Sequence, residues 1–228
     1  NYGHHEIEKT TEVNDSTRWR YGSITKVFTA VMILQLESEG KLSIDDSVTK
    51  YIDLKQHNAA GITIKHLLNH SSGLYNYTAS KKLKWEDTPN QCLENSLKRK
   101  LNFTPGSKYD YCNTGYVILG LIIEKITAQS YQQNITERIF KPCGLESMIY
   151  CSDDKIPFNT ARGYKIKHNK YTDFTEIDHS WANSAGAVLG NLTDLNKFVD
   201  CLFKGNLIDI SQLKKMISPT IIYRNLNA

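Results

Sequence analysis

The sequence predicts a mixed α/β fold dominated by helix, on three observations. Apolar residues recur at helical spacing, as in Ile24, Val27, Phe28, Val31, Met32 and Leu34. Capping residues, among them Thr63, Thr193 and Asp209, stand where such segments open. Strand candidates are few and fall at the two ends of the chain. With 228 residues there is enough chain for one large domain, or two subdomains, with a real core.

The elements follow in order. TRWRYG (17–22) is a weak strand ahead of a first helix that runs from Ser23 to a glycine cap at Gly40. LSIDDSVTKYI (42–52) predicts a short helix begun by Asp45 and Asp46. TIKHLLNHSSGL (63–74) predicts one capped by Thr63 and stopped at Ser71-Ser72-Gly73. Another helix is expected within 85–101, and Pro105-Gly106 with nearby aromatics makes 103–116 a loop. A strongly apolar helix spans Gly115 to about Thr127; SYQQNITERIF (130–140) is the next, ended by Pro142. Residues 150–182, rich in Asn, Asp and Lys, are irregular. TDLNKFVDCLFKG and DISQLKKMISP read as helices behind Thr193 and Asp209.

Composition excludes several classes of function. Hydrophobic residues at 40% and charged residues at 23% are those of an ordinary globular protein. A net charge of +4 is small for this length, and there is no aromatic–basic groove pattern, so no nucleic-acid partner is expected. The basic runs Lys81–Lys82–Leu83–Lys84 and Lys98–Arg99–Lys100 are solvated helix faces. YVILGLII (116–123) falls well short of the ~18 residues that a membrane span needs and reads as buried helix. Five cysteines, with no CxxC or Cys/His cluster, point to no metal. Cys143 and Cys151 are the pair that an oxidising compartment would bridge; buried thiols are the simpler expectation. Asn76-Tyr77-Thr78 and Asn134-Ile135-Thr136 fit glycosylation sequons, which are too common by chance to carry an inference.

The chemistry-bearing candidates begin at the first helix. Ser23 and Lys26 are three residues apart and share a helix face. A lysine in the first turn faces the positive pole of the macrodipole, so helix stability does not explain it. A serine hydroxyl needs a base to become a nucleophile, and a neutral lysine one turn away can serve. Burial and the helix pole both push such a lysine toward neutrality. The same helix mouth can aim a backbone N–H at a developing oxyanion. Taken alone Ser-x-x-Lys is weak, since any helix can hold it. Tyr111-Cys112-Asn113, behind Pro105-Gly106 and ahead of an apolar helix, adds a phenol able to relay a proton. It also adds a carboxamide able to hold Lys26 and a substrate amide. The plainer reading makes Tyr111 a half-buried loop aromatic and Asn113 a helix cap.

Together these segments resemble a known family. GSITK followed by FTA, then LLNHSSGL, then PGSKYDYCNTGYVILG, then SAGAVLGNLTDLNKF, in this order, are similar to the penicillin-recognising serine hydrolases. The branch resembled is the class C β-lactamase-like group, with D-alanyl-D-alanine carboxypeptidases and related esterases, over residues from about 16 to the end. The resemblance implies Ser23 as acyl-accepting nucleophile, Lys26 as its proton partner, and Tyr111 with Asn113 as the second, Tyr-x-Asn element. It makes His70 a packing or capping histidine. The group's Ala-Gly-Gly reads Ala185-Gly186-Ala187 here, and Cys112 stands where serine is common. The family's third motif, Lys or His, then Thr or Ser, then Gly, has no counterpart; His4-His5 and His168-Asn169 do not fit it.

The implied fold is β-lactamase/transpeptidase-like, an antiparallel sheet flanked by helices. An all-helical subdomain over 43–178 is inserted into an α/β subdomain built from 1–42 and 179–228. On this expectation the chain lacks the N-terminal strands and the third motif, so most of the sheet lies outside it or comes from another segment of the same protein. A chain limited to these residues would expose one side of the Ser23 helix and show little activity. The implied function is acyl transfer through Ser23 on β-lactams or D-Ala-D-Ala peptides, without cofactor or metal. An esterase or other peptidase on the same scaffold, and a non-hydrolytic penicillin-binding sensor, are the alternatives. The expected partner is a small-molecule or peptide substrate, and the expected location periplasmic or secreted, with or without a membrane tether.

Overall fold

A largely buried helix organises the molecule. The computed structural model describes residues 2–54, 61–80, 88–151, 156–175 and 180–219. Helix α1 (Thr25–Ser38) has every residue from Phe28 to Leu34 buried. It carries no one-sided stripe: apolar residues all round mark a helix enclosed by others. Helices α4 (Asn113–Thr127), α5 (Tyr131–Ile135), α6 (Asn183–Gly186) and α8 (Ile210–Ile217) pack on it. Ile24, expected in the stripe, lies just ahead of α1 and is 43% exposed. The Phe28 ring stacks on Phe198 with centroids 4.0 Å apart and meets Phe140 edge-on at 6.1 Å. Helix α4 is the second core element, and Tyr116 to Ile123 is buried apart from a partly exposed Leu121.

A small antiparallel sheet lies beside the N-terminus of α1. Strands β1 (Trp19–Arg20), β2 (Ile149–Tyr150) and β5 (Val188–Gly190) pair in the order β1–β5–β2. Trp19 opposes Gly190, and Arg20 and Ile149 flank Leu189. The sheet therefore draws a strand from mid-chain as well as from the two regions flanking 43–178. Strands β3 (Tyr164–Lys167) and β4 (Lys170–Asp173) form a separate hairpin, where irregular chain was expected. Its turn residues His168 and Asn169 both hold positive φ, 49° and 59°, the geometry a two-residue hairpin turn needs. His-Asn is a weaker signal for that turn than Asn-Gly. The stretch 43–178 is thus not all-helical, since it contains β2 and this hairpin.

Other expectations shift for local reasons. The segment 42–52 makes one 3-10 turn, Val48–Lys50, capped by Ser47. Asp46 does not start a helix because its carboxylate takes the Ser43 N–H, the Lys50 amine and the Tyr51 hydroxyl. Helix α2 keeps its Thr63 capping box but covers only Ile64–Leu68. Helix α3 (Pro89–Leu97) is capped by Thr88, and Lys98 to Lys100 are exposed just beyond it. The basic run 81–84 and the expected helix start at 85–87 lie outside the described residues. Helix α7 (Leu192–Phe203) is capped by Asn191 rather than Thr193, since the chain leaves β5 and enters the helix at once. Helix α8 is capped by Asp209 as expected. Among the described residues no helix is long and apolar enough to cross a membrane.

Cys143 pairs with Cys201, not with Cys151, and ties the turn after the π-helical segment Thr136–Phe140 to α7 across 58 residues of sequence. Cys92, Cys112 and Cys151 are buried thiols. Closing so long a loop restricts the unfolded chain, so reduction, or Cys201→Ser, is expected to cost about 2–4 kcal/mol of stability. Denaturant unfolding with and without reductant measures this, and coincident midpoints would contradict the bridge.

Candidate active site

The path from β1 into α1 sets the site. Tyr21 donates its N–H to Val188, and Gly22 then turns the chain with φ of +52° into a 3-10 turn, Gly22–Ile24, that runs directly into α1. A side chain at position 22 would be strained in that left-handed conformation. Ser23 is left exposed at the helix mouth, while Lys26, one turn on, is only 6% exposed.

Three side chains meet there. The Lys26 Nζ lies 3.1 Å from the Ser23 Oγ, and the Tyr111 hydroxyl donates to the same Oγ at 2.6 Å. The lysine donates a second time, to the Ala185 carbonyl at 2.7 Å. It also sits 4.9 Å from the Tyr111 ring centroid and 5.5 Å from that of Tyr116. Burial lowers the Lys26 pKa from 10.5 to about 8, an effect that nearby Cys112 partly opposes. Roughly a tenth of the amine is therefore neutral at pH 7, and about half near pH 8. Tyr111 is 38% exposed, so its hydroxyl faces both the serine and any incoming molecule.

The Ala185 carbonyl is held by a buried polar network. Thr29 Oγ1 donates to the Ser184 carbonyl and meets the Tyr131 hydroxyl, both at 2.7 Å. Ser184 Oγ donates to the Tyr116 carbonyl, and Val188 donates its N–H to Thr25 Oγ1. Gly120 makes room for this: a Cβ there would stand 2.3 Å from Ser184 Oγ. Ala187, in the place of the usual glycine, has φ of −95°, so its methyl group brings no backbone strain.

Asn113 differs from its expected part. It is the first residue of α4, and its carboxamide donates to Thr78 Oγ1 at 3.1 Å while its N–H donates to Asn76 Oδ1. It braces the turn at 76–78, while Lys26 donates to Ser23 and the Ala185 carbonyl. Cys112 is buried and its thiol donates to the Leu74 carbonyl, a packing part as expected. Sequence reasoning missed the Ala185 carbonyl because a backbone acceptor has no side-chain signature. The small-residue run around Ala185 was its only trace. Among the described residues no group of His, Cys, Asp and Glu side chains could hold a metal ion. A groove of about 620 Å³ runs along α1 past Val27, Ala30 and Leu34 and reaches Lys26 and His70.

The Beta-lactamase family model matches residues 1–222. The chain is 28% identical over 241 residues to protein flp of Staphylococcus aureus (strain MW2), covering 99% of this chain and 47% of that one. It spans about half the length of the curated relatives it matches. Among solved structures, D-stereospecific amidohydrolase from Streptomyces sp. superimposes with a TM-score of 0.83 at 30% identity, over 92% of this chain and 67% of that one. D-amino acid amidase from Ochrobactrum anthropi SV3, solved with L-phenylalanine amide, gives 0.84 at 28% identity over 93% and 63%. With nearly the whole chain matched and these folds superimposing on it, the chain belongs to the Beta-lactamase family, within the superfamily of serine hydrolases and penicillin-binding proteins.

Proposed function

We propose that the chain is a serine acyl-hydrolase that forms an acyl-enzyme on Ser23, with β-lactams or peptides ending in D-Ala-D-Ala as substrates. The observation that carries this is the convergence of a buried amine and a phenol on one exposed hydroxyl, at 3.1 and 2.6 Å. Neutral Lys26 takes the Ser23 proton as the oxygen attacks the amide carbonyl. The Ser23 N–H, at a helix start where N–H groups lack intrahelical acceptors, faces the developing oxyanion. Tyr111 gives its proton to the leaving nitrogen, and the Lys26 ammonium, which meets Tyr111 around the same Ser23 oxygen, returns a proton directly to the phenolate. Water then attacks the ester, losing its proton to neutral Lys26, directly or by way of the Tyr111 hydroxyl, and Lys26 returns that proton to the Ser23 oxygen as its bond to the acyl carbon breaks. Every proton in this cycle moves between three side chains, substrate and water.

A second reading takes a D-amino acid amide as substrate. It is supported by the two solved relatives, which are named for amide hydrolysis. Ammonia release from such an amide, set against turnover of a chromogenic cephalosporin and of a D-Ala-D-Ala peptide, separates the two.

Incubation with a fluorescent penicillin is expected to place one adduct on Ser23, located by peptide mass spectrometry. Ser23→Ala is expected to remove the adduct and leave the fold intact; persistent labelling would refute the assignment. The pH profile gives an independent check. Since the folded pKa of Lys26 is lowered to about 8, the basic form accumulates as pH rises through that value. The labelling rate is expected to climb with a midpoint near it. A midpoint near the ordinary lysine value, or a rate that falls over this range, would contradict the neutral-amine mechanism.

A further inference from the structure

We propose that His70 is a positioning residue that holds the Tyr111 hydroxyl on Ser23, an inference that rests on the acyl-transfer reading above. His70 follows α2 and its C-cap Asn69, and has φ of +59°. That left-handed conformation is uncommon for a residue with a side chain and persists where surrounding contacts demand it.

Those contacts straddle one residue. The His70 carbonyl accepts the Asp110 N–H at 2.8 Å, and its ring Nδ1 accepts the Cys112 N–H at 3.1 Å. A single histidine therefore pins the peptide on both sides of Tyr111. Its ring also lies against the Tyr111 ring, with centroids 4.5 Å apart and planes 35° apart, and against Tyr116 at 5.2 Å. Backbone anchors before and after Tyr111, with a wall beside its ring, limit where its hydroxyl can go. The result is the 2.6 Å contact with Ser23.

The same geometry argues against His70 as a proton carrier. Its Nδ1 already accepts a backbone N–H, which requires that nitrogen to be unprotonated. Burial, with Lys26 adding to it, keeps the imidazole neutral by lowering its pKa to about 4, against the opposing pull of Asp110. The neutral ring then carries its proton on Nε2. A hydrogen bond across 42 residues of sequence thus couples the end of α2 to the residue that completes the site.

The test is a double-mutant cycle on the labelling rate of Ser23 by a fluorescent penicillin. His70→Ala is expected to slow acylation about 10²-fold, as a misplaced reacting group does. The probe concentration giving half-saturation should move less than about twofold, because a positioning defect falls on the chemical step. In a Tyr111→Phe background the same change should matter by less than about threefold, because the two residues act as one unit. His70→Asn keeps a side-chain acceptor and tolerates left-handed backbone, so it should recover to within about tenfold of the parent rate. If His70→Ala does not fold, His70→Leu, which keeps bulk and loses the acceptor, takes its place in the cycle. Equal penalties in both backgrounds, or His70→Asn as slow as His70→Ala, would overturn the proposal. A parent protein that never labels at Ser23 would instead overturn the acyl-transfer reading itself.

Discussion

The contact between the Lys26 amine and the Ala185 carbonyl, at 2.7 Å in the interior, is the constraint on which the rest of the molecule depends. A lysine this deeply buried loses its hydration, and the loss is tolerable only if the amine is partly neutral and every N–H has a good acceptor. Two acceptors are fixed by different means. Ser23 is presented by the glycine turn that joins β1 to α1. Ala185 is presented by α6, clamped to α1 through Thr29 and to α4 through Ser184. The clamp has a thermodynamic cost with a definite sign. The folded pKa of Lys26 lies below its unfolded value of 10.5, so a protonated lysine weakens the fold below about pH 8. That penalty fades as pH rises toward the unfolded value. Stability is given up at the position where a reactive amine is held.

The opposite wall of the site is built from the 109–116 segment and has a different character. It is aromatic and exposed at Tyr109 and Tyr111, and it is attached through hydrogen bonds and through the core residues Cys112 and Tyr116. Cys112 and Thr114 anchor it inward, the first to the Leu74 carbonyl and the second to the Tyr75 carbonyl. Asn113 ties it to the turn at 76–78. Tyr111 projects between these anchors toward Ser23. A rigid lysine side facing a more exposed tyrosine side leaves one hydroxyl open to an incoming molecule, with two proton partners already in place.

Much of this was legible in the sequence, and the failures follow a pattern. Ser23, Lys26 and Tyr111 come from three-residue spacing and a loop-to-helix junction, signals carried by side chains in local order. The caps at Thr63 and Asp209 read directly for the same reason. The errors concern groups whose partners are distant. Asn113 reads as a partner for Lys26, whereas its carboxamide donates to Thr78 and Lys26 donates to a backbone carbonyl of α6. Cys143 meets Cys201, 58 residues away, because the turn at 143 and α7 pack together, which spacing cannot show. Strand β5, Val188 to Gly190, is too short for a period-two pattern to show in the sequence. The stripe on α1 is a narrower version of the truth, since Ala30 and Thr29 are buried without being strongly apolar.

Whether the Lys26 amine is partly neutral is read out by a lysine-selective NMR titration of its side chain. With carbon-labelled lysine and a Lys26→Met variant to assign the signal, the account predicts a midpoint near 8. A Lys26 signal that titrates near 10.5 with the other lysines would show a fully charged amine at neutral pH and contradict the account.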